Sequence, residues 1–199
     1  LGKGLASRWI KAGHDVLIGS RDLPKAQEIA VQLGLESSSG MLNIDAAKIC
    51  ELACLTVPFA HQESTLISID DGLQNKIMID ATVPLMPPKV MRVQLPEIGS
   101  AALNAQSILG DKTTVVSAFQ NISAELLQTD AEIDCDVLVA GDFLDARNTV
   151  IELAADAGLT GWHAGPLCNS VAAEALTSIL IAINKKHSLA HSGIKITGH

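Results

Sequence analysis

Three side chains of unlike chemistry stand close together in the stretch VLIGSRDLPKAQ: the hydroxyl of Ser20, the guanidinium of Arg21 and, four residues on, the amine of Lys25. They follow an apolar run that reads as a buried strand. In a dinucleotide-binding fold the second strand ends beside the adenosine ribose, where an acid accepts the 2′-hydroxyl and an arginine instead suits a 2′-phosphate. No acid occupies this strand end. Ser20 offers a hydroxyl, Arg21 a planar fork of donors and Lys25 a point charge, so phosphate is the ligand that fits and NADP is favoured over NAD. A plainer alternative stays open: Arg21 and Lys25 are solvated charges around a cap at Asp22, with Pro24 in the first turn.

Three further apolar runs end in small polar groups beside apolar ones. One gives Thr56, Val57 and Pro58 with His61 in the next turn; another gives Asp80, Ala81, Thr82, Val83 and Pro84; a third gives Ser117, Phe119, Gln120, Asn121 and Ile122. Open parallel sheets bind ligands outside the carboxyl ends of their strands, and a flat ring with an amide on one edge needs such a lining. Turn chemistry accounts for each end taken singly just as well, and His61 alone reads as a helix-surface residue. Of a G-x-G-x-x-G turn only LGKG is present. Gly2 stands where a third glycine lets helix and strand pack closely, and Gly4 extends that contact. A helix, a Gly13 turn and a strand follow in the order a βαβ unit demands. We therefore expect roughly ten further residues before Leu1 in the natural protein, about one strand of five or six residues plus the glycine turn. In this chain the sheet is therefore expected to lack its central strand and to bind pyrophosphate weakly.

Short Val, Ile and Leu runs at 16–19, 53–57, 76–79, 113–118 and 136–140, with a weaker one at 159–163, alternate with helical patterns at 23–33, 44–51, 59–70, 100–109 and 143–157. In the last helix Phe143, Ala146, Val150, Leu153 and Ala157 share one face, Asp142 can cap the start and Gly158 can end it. Strand, helix, strand with unbroken apolar strands is the pattern of a parallel sheet covered on both faces, a doubly wound α/β fold of Rossmann type in one domain over 1–199. Residues 83–99, with four prolines, break the rhythm and read as a long loop or lid. A final helix over about 169–187 is apolar almost all round and must be covered by its own sheet or by a second subunit.

The chain has 199 residues, 48% of them hydrophobic, with 14 Lys plus Arg against 22 Asp plus Glu. A net charge of −8 argues against nucleic acid or an anionic membrane as partner, so an anionic ligand needs a local basic site. The apolar stretch at 171–183 contains Glu174 and is too short to span a bilayer. Cysteines 50, 54, 135 and 168 form no CxxC pair and read as buried thiols in a reducing cytoplasm. Cys168 precedes a helix, but no paired base accompanies it. No short-spaced His, Cys or carboxylate cluster suggests a metal, and no Gly-x-Ser-x-Gly elbow is present.

LGKGLA, GSRD with Lys25 following, LTVPFAH, VVSAFQNIS and AGPLCNS stand in the order and spacing that resemble the NADPH-dependent coenzyme F420 reductases, from residue 1 to about 196. The resemblance implies hydride transfer between NADP(H) and the deazaflavin F420 in a cytoplasmic homodimer. It places Ser20, Arg21 and Lys25 on the 2′-phosphate, and Gly2, Thr56, Val57, Pro58, His61 and Val83 along NADP. Gln120, Asn121 and Ile122 fall at the deazaflavin, with Gly165, Pro166 and Leu167 closing the pocket from the far side. Family members often carry His where Gln120 stands; Gln can hydrogen bond but cannot become cationic at neutral pH.

Such a reaction asks the protein to hold two rings face to face, roughly 3 to 3.5 Å apart and dry, and needs no nucleophile. We therefore name no catalytic acid or base, and assign the positioning to Val57, Val83, Ile122 and Leu167. Lys89 and Arg92 in the proline-rich segment are candidates for the anionic tail of F420. Two rivals remain open: a reductase of an imine, flavin or ferric acceptor on the same scaffold, and a non-catalytic NADP-binding module.

Overall fold

The computed structural model describes residues 1–198, in which helices and strands alternate: α1 (Gly2–Ala12), β1 (Ile18–Ser20), α2 (Leu23–Gln32), β2 (Gly40–Leu42), α3 (Asn43–Ile49), β3 (Leu52–Leu55), α4 (Gln62–Leu73) and β4 (Ile77–Asp80). After an irregular stretch follow α5 (Ala101–Leu109), β5 (Thr114–Ser117), β6 (Asp136–Val139), α6 (Leu144–Asp156), β7 (Thr160–His163) and α7 (Ser170–His187). Local chemistry sets several of these ends. Gly13 adopts φ 96°, and its N–H and that of His14 return to the carbonyls of Ile10 and Trp9, closing α1. Asp22 caps α2 by accepting the Lys25 N–H, and Gly158 at φ 76° ends α6.

Two expectations about α6 fail. Asp142 does not cap it, because its carboxylate instead accepts the N–H of Leu167 at 2.9 Å. Phe143 precedes the helix and is 63% exposed, while Ala146, Val150 and Ala157 are buried as expected, Leu153 packs against the same core, and Ala154 joins them.

Strands pair in parallel within three ladders, β1–β2, β3–β4–β5 and β6–β7, and the ladder is interrupted between β1 and β3. An antiparallel bridge between Ser117 and Ala140 joins the end of β5 to the end of β6, a local departure from a wholly parallel sheet. Successive strand residues point to opposite faces. Accordingly Ile79 and Val116 enter one core with Leu5, Trp9, Phe119 and Val150, while Met78 and Val115 enter another with Leu55, Leu66, Ala102 and Leu109. The sheet is thus covered on both sides. Arg8 on α1 donates to the carbonyls of Leu127, Thr129, Ala131 and Ala157, tying α1 to the end of α6 and to the loop before β6.

Residues 81–100 form no helix or strand, and Met86, Met91, Val93, Leu95 and Ile98 within them are all at least 40% exposed. α7 with its preceding turn, Leu167–His187, is long and apolar enough to cross a membrane by length and composition, longer than the 171–183 run implies. Within the protein it buries Ser170, Ala173, Glu174, Ser178 and Leu180. All four thiols are free, but only Cys135 is buried; Cys50 and Cys54 are half-buried and Cys168 is exposed. Cys168 lies in the solvent-facing turn before α7, which corrects the expectation of four buried thiols.

Candidate functional site

The register aligns Leu55, Asp80 and Ser117 in one row across β3, β4 and β5. Two loop hydrogen bonds extend that row, from Ala81 N–H to the Leu55 carbonyl and from Ala118 N–H to the Asp80 carbonyl. Thr56–Val57–Pro58, Thr82–Val83 and Phe119–Gln120 therefore leave the sheet at the same edge. Gly2 at the start of α1 meets this edge: a Cβ there would run into the Thr56 hydroxyl, so only glycine permits the approach. Gly4 does not extend that contact, since its missing side chain makes room for Leu127. His61 is exposed at the entry to α4, where its carbonyl accepts the hydroxyl of Thr65 at 2.7 Å.

Across the sheet, Ser20 ends β1. Its Oγ accepts the Asp22 N–H at 3.1 Å, which leaves the hydroxyl hydrogen free to donate. Arg21 and Lys25 are exposed, and among the described residues neither makes an ion pair. The cap at Asp22 is real, but it uses the backbone of Lys25 and leaves the ammonium free. The N-terminus of α2 adds its own partial positive charge beside the three groups.

Behind the strand edge lies a buried polar network that the sequence pattern does not reveal. Gln62 Nε2 faces the Asp80 carboxylate at 2.6 Å, Thr82 Oγ1 at 2.8 Å and the Ala101 carbonyl at 2.9 Å. The Glu174 carboxylate accepts the N–H groups of Ala101 at 2.7 Å and Ala102 at 3.1 Å, capping α5 from α7, and Ser170 bonds Ser100 at 2.7 Å. Both ends of the irregular 81–100 segment are pinned by these bonds. Burial pushes the Asp80 carboxyl up to about 6 against the bonds from Thr82 and Gln62. It pushes Glu174 to about 7, with the Asp80 charge adding to the effect and the two amide bonds opposing it.

Phe119 takes φ 74°, a left-handed turn that a bulky residue adopts only when its surroundings hold it there. Its ring is buried edge-on against Trp9, with centroids 6.0 Å apart. The turn folds Gln120 inward. Gln120 Nε2 donates to the Asp80 carbonyl at 2.8 Å and to Ser117 at 2.9 Å, so the amide is oriented, and its buried Oε1 has no partner among the described residues. Gln120 and Ile122 line a cavity of about 250 Å³ whose other walls are Thr177, Ile181 and Asn184 of α7 and His191. Asn184 Oδ1 is likewise buried without a partner among the described residues. Both residues line the cavity, and the two unpartnered oxygens lie beneath its surface.

Other predicted acceptor-site residues sit differently. The Asn121 amide is spent on the Ala173 carbonyl and Thr177 of α7, so it holds the cavity wall. Leu167 is 1% exposed, and its side chain packs into the core cluster of Met78, Val115 and Leu109. Gly165 adopts φ 87°, and its carbonyl accepts the Gly141 N–H; the exposed Pro166 follows it. Neither is among the residues lining the cavity at Gln120. Lys89 and Arg92 are exposed on the 81–100 segment, and the Arg92 carbonyl receives the Ser178 hydroxyl of α7. Sequence reasoning missed Gln62, Thr177, Asn184 and His191. Glu174 left a signal, as the lone acid in an apolar helix.

A family model described as NADP oxidoreductase, coenzyme F420-dependent, matches residues 1–84. The chain is 40% identical to the F420-dependent NADP reductase of Methanothermobacter thermautotrophicus, covering 98% of this chain and 90% of that one. It is 36% identical to the F420-dependent NADP reductase of Methanocaldococcus jannaschii, covering 98% and 93%. A crystal structure from Arthrobacter sp. FB24 superposes with a TM-score of 0.84 at 21% identity over 99% of this chain and 94% of that one, a likeness of fold.

Proposed function

The chain belongs to the family of coenzyme F420-dependent NADP oxidoreductases, and from that premise we propose how its own residues carry out the reaction. It transfers hydride between NADP(H) and the deazaflavin coenzyme F420. Bound at the strand edge, the nicotinamide and the deazaflavin supply the redox chemistry itself.

Ser20, Arg21 and Lys25 hold the 2′-phosphate, one hydroxyl and two cations meeting one anion. Gly2 lets α1 approach β3, and Thr56, Val57, Pro58, His61 and Val83 border the rest of NADP along the strand edge. Gln120 and Asn184 line the cavity and bring amide groups to a planar ring that carries N–H or O–H donors, as a deazaflavin does. Ile122 and Ile181 give that cavity its apolar wall. Asn121 and Leu167 act from behind, the first by fixing α7 and the second by filling the core. Gly165 and Pro166 shape the turn leading into α7. Lys89 and Arg92 are free to meet the anionic tail of F420. Four free thiols fit a reducing cytoplasm, and the exposed side of α7 fits a homodimer.

The observation that carries the cofactor assignment is the pair of exposed, unpaired cations flanking Ser20. Mixing the protein with NADPH and F420 should bleach the visible absorbance of the deazaflavin. In R21A/K25A the KM for NADPH should rise on the order of 100-fold while that for NADH stays near its wild-type value, since charge-assisted bonds to one phosphate are lost. An unaltered preference between the two dinucleotides would refute the assignment.

A further inference from the structure

The cavity beside Gln120 has two titratable side chains in its wall, His191 and Glu125. His191 belongs to the segment after α7, and that segment is fastened along the start of β6. Asp136 N–H donates to the Ile194 carbonyl at 2.8 Å, Ile196 N–H donates to the Asp136 carboxylate at 2.7 Å, and Lys195 pairs with Asp134. Gly193 packs so closely on the Cys135 sulfur that a methyl group would not fit. The chain just beyond His191 is therefore held against β6 beside the cavity.

Ser123 Oγ accepts the Leu126 N–H at 3.3 Å and lies 3.0 Å from His191 Nδ1. Its remaining hydrogen is free to point at Nδ1, which leaves Nε2 as the nitrogen that bears hydrogen. Nε2 stands 3.6 Å from the Glu125 carboxylate, and the His191 side chain is 27% exposed, enough to exchange with solvent.

Resting on the reading that this cavity receives the deazaflavin, we propose that His191 Nε2 exchanges the proton that accompanies hydride transfer, with Ser123 and Glu125 holding the ring. In the direction of F420 reduction, a C–H bond of the dihydronicotinamide breaks and its electron pair and hydrogen form a C–H bond on the deazaflavin. NADPH is oxidised and the acceptor reduced by two electrons, and one proton is then needed on the acceptor ring. The Nε2–H bond of the imidazolium breaks, an N–H bond forms on that ring, and solvent recharges the imidazole. In the reverse direction neutral Nε2 takes the proton. Gln120 cannot do this, because an amide does not titrate.

Titrating ¹⁵N-histidine-labelled wild-type protein with F420 alone should move the His191 ring resonances to a saturating value. In H191Q, kcat for F420 reduction should fall on the order of 100-fold with the KM for NADPH unchanged. A wild-type decline of kcat with rising pH should be absent in that variant, and added imidazole should restore part of the rate to H191A. His191 resonances unmoved by F420, or an H191Q enzyme with wild-type rate and pH profile, would overturn the assignment. The labelled titration needs no variant to fold. A wild-type protein that binds NADPH but never reduces F420 would instead overturn the acceptor-site reading.

Discussion

Glu174 is 1% exposed and Asp80 is fully buried, and their carboxyls answer to the same network behind the strand edge. The Glu174 carboxylate satisfies two N–H groups that α5 cannot pair internally, and the positive end of that helix favours its charge. Burial wins over both, raising Glu174 from an ordinary 4.5 to about 7 and Asp80 from 3.8 to about 6. Both groups hold protons more tightly in the folded than in the unfolded chain. Their contribution is therefore complete below their ordinary values and is lost as pH rises through 6 and 7. Thermal unfolding followed by circular dichroism should show Tm falling between about pH 4.5 and 7, by a free energy on the order of 2 kcal/mol for each group. E174Q should flatten the upper part of that decline, because an amide stays neutral when buried and has no proton to lose between pH 4.5 and 7. A slope identical to wild type in E174Q would show that Glu174 does not titrate in this range.

The three-residue strand β2 escapes sequence reading because Gly-Met-Leu offers no alternation to detect, yet it sets how α2 lies over β1. Gly40 pairs with Ile18, and a Cβ there would strike the backbone of Ala26 and Gln27 in α2. The helix that begins beside Ser20, Arg21 and Lys25 can reach its place only across a glycine. G40A should therefore cost about 1–3 kcal/mol, which at about 2–4 °C per kcal/mol for a chain of this size lowers Tm by several degrees. It should also raise the KM for NADPH by displacing α2. G13A is the control: Gly13 has φ 96° but open space around it, so only backbone strain of about 1 kcal/mol is added and the KM should not move. Equal effects from the two variants would rule out the packing argument. Ends fixed by neighbouring residues, such as Asp22 on α2 and Gly13 after α1, are legible in sequence. Asp142 is not, because its partner Leu167 lies 25 residues away.

The same distinction holds for the whole molecule. The proposed phosphate end of the site is written in six consecutive residues, whereas the proposed acceptor cavity joins residues near 120, 180 and 190 that only the fold assembles. α7 serves both that cavity and the outside. One side commits Ala173, Glu174 and Ser178 to the interior, while Ile179 is 44% and Ile183 is 38% exposed. The Ser178 hydroxyl bonds the Arg92 carbonyl, bringing α7 beside a segment where Met91, Val93 and Leu95 are also exposed. A monomer rarely leaves so much apolar surface to water, and a two-fold axis would let α7 of one copy cover the same surface of another. Light scattering at micromolar concentration should give twice the chain mass for the wild type. I179K/I183K should give the single chain mass with Tm lowered, while the Glu174 cap and the cluster of Ser20, Arg21 and Lys25 stay intact. A wild type that is monomeric at these concentrations, or a double variant that remains dimeric, would place the subunit contact elsewhere or remove it.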